Sequence, residues 1–162
     1  MRDIFNLSVV ILCGLPGAGK STFYTSRLRR RYRPYKLVSK DLMGNAKHKT
    51  KKQLQAISEA LEGGISVVVD NTNPSAADRR EIIKIGQKYN AKIRCYYFEP
   101  DVEGCIRRNN LRTGKKKVPL VAIYSAAKKM EKPAFDEKID EIIRVFLTDS
   151  DGFKIKKIKQ NF

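Results

Sequence analysis

The segment Gly14-Leu15-Pro16-Gly17-Ala18-Gly19-Lys20-Ser21-Thr22 follows the spacing GxxxxGK plus Ser or Thr, directly after the apolar run Val9-Val10-Ile11-Leu12. Glycines at these positions let consecutive backbone N–H groups turn inward around a polyphosphate. A lysine then supplies positive charge for the β- and γ-phosphates, and the serine hydroxyl can ligate the accompanying Mg²⁺. Gly14, Pro16, Gly17, Ala18, Gly19, Lys20, Ser21 and Thr22 are therefore the candidate donor-binding residues, and the implied ligand is ATP or another nucleoside triphosphate with Mg²⁺.

Two further carboxylates sit where such a ligand could be used. Asp41 follows the short strand expected at Lys36–Ser39, and a phosphotransferase to an alcohol needs a base at that place to orient the acceptor hydroxyl and take its proton. The same position also suits an N-cap, because Asp before Leu42-Met43 can simply start a turn. Asp70 closes the β-branched run Val67-Val68-Val69, from which a carboxylate can reach the waters of a phosphate-bound Mg²⁺. Asn71, Thr72 and Asn73 then offer hydrogen bonds to a substrate, although Asn73-Pro74 equally marks a turn that Asp70 could tie down.

The elements that must position these groups read as an α/β fold. Short apolar runs alternate with helix-like stretches, the pattern of a parallel sheet of about five strands covered on both faces. Strands are expected at Ser8–Cys13, Lys36–Ser39, Ile65–Asp70, Lys92–Phe98 and Ile142–Leu147, and Phe153–Ile158 after the turn at Asp149–Gly152 reads as an antiparallel edge strand. Helices are expected over Ser21–Tyr32, over the segment carrying Leu54, Ile57 and Leu61 that Gly63-Gly64 ends, from an N-cap at Ser75 to about Tyr89, and from Pro119 through Ala127. Ligands of open α/β sheets sit beyond the carboxyl ends of the strands, where the phosphate loop, Asp41 and Asp70 all fall.

The length, 162 residues with 41% hydrophobic content, suits one domain over residues 1–162 with a single sizeable core. No apolar run approaches the roughly 20 residues of a membrane span, and Arg2, Asp3 and Asn6 break any signal-peptide pattern, so an intracellular location, cytoplasmic or nuclear, is expected without membrane attachment. Cys13, Cys95 and Cys105 form no CxxC pair, which argues for reduced thiols rather than a disulfide framework or a zinc site. His48 lies in a basic loop, where a solvated side chain is the simpler reading.

Charge points to a polyanionic partner. Lys and Arg number 34 against 17 Asp and Glu, a net of +17 that nucleotide binding alone does not require. The basic residues cluster at Arg27, Arg29, Arg30, Arg31, Arg33 and Lys36, at Lys47, Lys49, Lys51 and Lys52, and at Arg107, Arg108, Arg112, Lys115, Lys116 and Lys117. A merely soluble basic surface would share the composition, but these clusters flank the segments that carry the chemistry.

Taken together, GLPGAGKST, Lys40-Asp41, VVVDNTNP, Arg108-Asn109-Asn110-Leu111-Arg112 with Val118-Pro119, and Pro133-Ala134-Phe135-Asp136-Glu137 resemble the kinase module of 5′-hydroxyl polynucleotide kinases, across about residues 8 to 147. The resemblance implies a P-loop kinase fold with a mobile lid at about 105–118. It implies transfer of the γ-phosphate of ATP or another nucleoside triphosphate to the 5′-hydroxyl of DNA or RNA. Lys20 and Ser21 would hold donor and metal, Asp41 would act as general base, and Asp70 and Asp41 would reach the metal through water. Arg112 and Arg108 would be lid arginines over the phosphates, catalysis would rest on Asp41, Lys20 and Arg112, and Lys40, Asp41, Asp70, Asn71, Thr72 and Asn73 would face the acceptor. Taken by itself, Arg112 also reads as one more member of a solvated basic helix face.

Where some members place an arginine three residues after the base, this chain has Gly44; Lys40 or the 47–52 run is the substitute expected to hold the following phosphate. No fused phosphatase or ligase module accompanies the kinase segment, so such a partner would be separate, or the chain would be a fragment of something larger. A kinase of a small molecule, a nucleoside or an aminoacyl-tRNA shares the phosphate loop and the base, and a non-catalytic nucleotide-driven switch shares the loop alone.

Overall fold

The computed structural model describes residues 6–29, 35–150 and 152–161. One sheet organises them, with strand order β2-β3-β1-β4-β5-β6. Its strands are β1 (Ser8–Cys13), β2 (Lys36–Val38), β3 (Val67–Asp70), β4 (Lys92–Phe98), β5 (Glu141–Leu147) and β6 (Phe153–Lys157). The first five run parallel, and β6 pairs antiparallel with β5, Val145 opposite Ile155. Every residue of β1 and β3 is buried, which is why both strands read as unbroken apolar runs rather than alternating ones.

Alternate side chains enter two cores, one on each face of the sheet. Val9, Ile11, Val67, Val69 and Ile93 pack with Ile57 and Leu61 of α2 (Lys49–Glu62) and Ile82 of α3 (Ala76–Lys88). Val10, Leu12, Val68 and Phe98 pack with Phe23 of α1 (Lys20–Phe23), Cys105 of α4 (Val102–Asn110) and Ile123 of α5 (Leu120–Lys129). Gly86 lets α3 lie tight against the sheet: a Cβ there would stand 2.3 Å from Ile93 Cδ1. Ser75 caps α3 as expected, its hydroxyl accepting from Asp78 N while the Asp78 carboxylate accepts from Ser75 N.

The helix expected over 21–32 takes a different form. Regular α-helix ends at Phe23 and widens into a π-turn over Tyr24–Leu28, with Arg29 N donating to Tyr24 O at 2.8 Å. Thr25 Oγ1 donates to Ser21 O and Ser26 Oγ to Thr22 O, so side-chain hydroxyls compete for the carbonyls of the preceding turn. Arg30, Arg31 and Arg33 of the first basic cluster lie outside the described residues. Cys13, Cys95 and Cys105 are free and buried. Among the described residues, no helix is long and apolar enough to cross a membrane.

Candidate active site

The phosphate loop leaves β1 and enters α1 through two left-handed glycines, Gly17 at φ 84° and Gly19 at φ 89°. A Cβ on Gly17 would also meet Cys105 O at 2.7 Å, so both conformation and space demand glycine. Lys20 Nζ donates to the carbonyls of Gly14 and Leu15 at 2.9 and 2.8 Å. Burial pushes its pKa down, and the nearby Asp70 carboxylate opposes that fall. The ammonium thus rests on weak neutral acceptors that phosphate oxygens can replace.

Ser21 Oγ donates to Asp70 Oδ2 at 2.8 Å. The register of β1 with β3, Leu12 opposite Asp70, brings the end of β3 to the start of α1. A hydroxyl and a carboxylate are the hard oxygen donors that Mg²⁺ prefers. Among the described residues there is no group of three or more His, Cys, Asp or Glu able to hold a metal by itself. The pair therefore fits a cation that arrives on the donor and takes most of its shell from phosphate and water.

Asp41 is exposed and lies in a 3₁₀ turn, Lys40–Met43. The capping role that its position also suited belongs to Ser39, whose hydroxyl accepts from Asp41 N at 3.3 Å. The Asp41 carboxylate makes no hydrogen bond within the described residues, and it stands at a cavity of about 390 Å³ lined also by Lys40, Gln53, Thr72, Asp78 and Glu81. Asn71 fixes that turn to the end of β3: its Oδ1 accepts from Lys40 N at 2.9 Å, and its Nδ2 donates to Gln53 Oε1.

Not every residue expected to meet the acceptor is free to do so. Both ends of the Asn71 carboxamide are engaged within the chain, so this residue positions the loop carrying Asp41. Asn73 is buried, and its Nδ2 donates to Leu12 O at 2.8 Å, which closes the loop onto β1. Thr72 gives its carbonyl to Gly14 N at 3.1 Å, tying the same loop to the phosphate loop, and is among the residues that line the cavity.

The segment expected to form a lid, 105–118, begins within α4. Cys105 and Asn109 are buried at 1% and 0% exposure, so residues 105–110 belong to the packed helix α4 rather than to a loose cover. Asn109 grips the far side of the following loop, donating from Nδ2 to Val118 O at 2.8 Å and accepting from Val118 N at 3.0 Å. The two arginines do not share a helix face, because α4 ends at Asn110. Arg108 lies over the phosphate loop, its Nε donating to Gly17 O at 2.6 Å. Arg112 lies past the helix end, donating to Lys116 O at 3.4 Å, and its charge is among those that lower the Lys20 pKa.

Sequence reasoning missed Arg79. Fully buried, it is held at Nε and Nη2 by both carboxylate oxygens of Glu137, each at 2.9 Å, and donates from Nη1 to Asn73 O at 3.0 Å and Pro74 O at 3.3 Å. It braces the loop beyond Asp70 from behind. The only signal was indirect, in that Asn73-Pro74 and Phe135-Asp136-Glu137 stand among the segments that carry the family resemblance while Arg79-Arg80 reads as an ordinary basic pair.

A phosphate loop after the first strand of a mostly parallel sheet, a strand-end carboxylate bonded to its serine, and an open carboxylate in the turn after the neighbouring strand β2 define a P-loop kinase domain. The AAA domain family matches residues 9–133, and the chain belongs to that family. It is 36% identical over 107 residues to Transcription factor bHLH140 of Arabidopsis thaliana, covering 65% of this chain and 12% of that one. It is 32% identical over 142 residues to the Bifunctional polynucleotide phosphatase/kinase of Schizosaccharomyces pombe, covering 85% and 33%. With the L-seryl-tRNA(Sec) kinase of Methanococcus maripaludis it shares 26% over 137 residues, covering 77% and 53%. The chain thus spans about half or less of the length of these relatives. Among solved structures, Kti12 of Chaetomium thermophilum with ADP-AlF3 superposes with a TM-score of 0.66 at 16% identity, covering 88% of this chain and 92% of that one.

Proposed function

We propose that this domain transfers the γ-phosphoryl group of ATP, or of another nucleoside triphosphate, to the 5′-hydroxyl end of DNA or RNA. The observation that carries the reading is the unpaired Asp41 carboxylate, held through Lys40 N and Asn71 to the end of the strand whose Asp70 binds Ser21. Acceptor and donor groups are thereby fixed relative to one another. The cavity walls bear Asp41, Asp78 and Glu81 against Lys40 alone, which suits an uncharged sugar hydroxyl and disfavours an end already phosphorylated. Exposed Lys47, Lys51 and Lys52 follow the Asp41 turn and would meet the phosphate that follows the 5′-terminal nucleoside. The likeness to a polynucleotide phosphatase/kinase agrees with this choice.

In the reaction the 5′ oxygen attacks the γ-phosphorus as its bond to the β,γ-bridging oxygen breaks, and the hydroxyl proton passes to Asp41. Lys20, Arg108 and Arg112 meet the charge that spreads over the phosphate oxygens. Mg²⁺, when bound, would neutralise those oxygens, with Ser21 as its ligand and Asp70 and Asp41 reaching it through water.

The test is incubation with labelled ATP and a 5′-hydroxyl oligonucleotide, beside the same oligonucleotide carrying a 5′-phosphate, a nucleoside, a sugar and seryl-tRNA. Label on the first alone is expected. Label on a sugar, the nucleoside or seryl-tRNA instead would replace the proposed acceptor, and none on any acceptor would favour a switch.

A further inference from the structure

Helix α5 links the two ends of the candidate site. Its start follows Val118, gripped by Asn109, and its end is fastened to the rim of the acceptor cavity: Glu131 N donates to Pro74 O at 2.8 Å, and Ala76 N donates to Glu131 Oε2 at 3.0 Å. Ten residues make it about 15 Å long. Ile123 and Ala126 are buried beneath it. The outward stripe is unusual for a surface helix, since Val121 is 69% and Tyr124 50% exposed and Lys128 follows at helical spacing. The exposed lysines 115–117 stand before the stripe, and exposed Lys128, Lys129 and Lys132 close it. The helix carries no carboxylate.

An exposed aromatic on an apolar stripe with cations at both ends is the pattern that takes a single-stranded nucleic acid, bases stacking on the ring and phosphates meeting the lysines. We propose that the outer face of α5, centred on Tyr124, is the platform for the acceptor strand downstream of its 5′ end, running from the cavity rim toward the lid. The inference rests on the proposed acceptor class and adds a surface that the reaction itself does not require. Charge complementarity and continuity with the cavity rim select this occupant over a protein partner: lysines stand at both ends, the helix itself has no acidic residue, and the one carboxylate at its end, Glu131, is engaged by Ala76 N.

The test uses Tyr124→Ala, Tyr124→Phe and the double variant Val121→Ser with Tyr124→Ala, all at exposed positions and checked for an unchanged melting temperature. Binding of a fluorescent single-stranded decamer is measured by anisotropy. Tyr124→Ala is expected to weaken it about tenfold, the double variant more, and Tyr124→Phe to restore it. In turnover, KM for the 5′-hydroxyl decamer should rise to match, while KM for ATP and for a nucleoside 3′-monophosphate stays within about twofold. A decamer carrying 5-iodouracil should photocrosslink to the peptide containing Tyr124. Unaltered decamer affinity in Tyr124→Ala, or crosslinks confined to other elements, overturns the platform. The binding arm decides this even if no oligonucleotide is phosphorylated, which would instead overturn the proposed reaction.

Discussion

Ser21 Oγ donates to Asp70 Oδ2 at 2.8 Å, across the junction between the helix that leaves the phosphate loop and the strand beside it. In the proposed reaction the bond would pre-aim a hydroxyl toward the metal and leave a carboxylate to organise the metal's waters. Groups that orient a metal's shell typically contribute about 10- to 100-fold in affinity or activity when removed. Asp70→Asn, which keeps the shape, is therefore expected to raise the Mg²⁺ concentration for half-maximal turnover by that factor while the protein stays folded. A Mg²⁺ titration of turnover checks it, and an unshifted midpoint would leave Asp70 as a loop tether.

Lys20 and Asp41 should separate by what each removes. Lys20→Ala is expected to abolish transfer and weaken ATP binding, because its ammonium meets the donor. Asp41→Ala acts on the acceptor alone, so ATP affinity should be nearly intact while kcat falls by roughly a hundredfold or more. Retention of more than about a tenth of wild-type kcat in Asp41→Ala would remove the general-base role.

How much of this arrangement shows in the sequence depends on whether the cause is local. The strands are legible because burial on both faces leaves β-branched runs, and Gly17 and Gly19 are legible because the backbone there must be left-handed. The capping box at Ser75 and Asp78 lies within one turn and could be read directly. Partners set by tertiary structure could not. Asn71 and Asn73 look like substrate ligands in DNTNP, yet their amides bond to Gln53 and Leu12, 18 and 61 residues away. Arg79 looks solvated until Glu137, 58 residues on, is folded against it. The grip of Asn109 on Val118 likewise joins residues nine apart across a loop, which helical spacing alone does not reveal.

The Arg79–Glu137 pair should be costly to break from one side. Removing Glu137 would leave a guanidinium fully buried without its carboxylate, and half-broken buried pairs cost about 3–5 kcal/mol. Glu137→Ala is expected to lose that much stability in urea unfolding, with the Asn73-Pro74 carbonyls less firmly held and turnover reduced as well. A loss below about 1 kcal/mol would show that Arg79 finds other partners.

The basic run after Asp41 should govern the polynucleotide and not the donor. Affinity for a single-stranded oligonucleotide is expected to fall steeply with salt, since each neutralised phosphate releases counterions. Charge reversal at Lys49, Lys51 and Lys52 should flatten that slope and raise KM for the oligonucleotide more than for ATP. A KM indifferent to salt would instead fit a small-molecule acceptor.

Motion over the donor should be confined to the loop between Asn109 and Val118. Both ends of that loop are gripped by one carboxamide, residues 113–117 are exposed, and Leu111 at its start is 84% exposed with no core to hold it. Hydrogen exchange should therefore find 105–110 protected with or without a nonhydrolysable triphosphate, while 111–117 gain protection only when it binds. Arg112 moves with this loop and meets charge that grows during transfer, so Arg112→Ala should lower kcat by more than about tenfold with little change in oligonucleotide affinity. Arg108, already bonded to Gly17 O, should by contrast affect ATP binding in the ground state. Equal exchange of 111–117 in the two states would make the loop a fixed basic surface, and Arg112 would then have no part in closing over the phosphates.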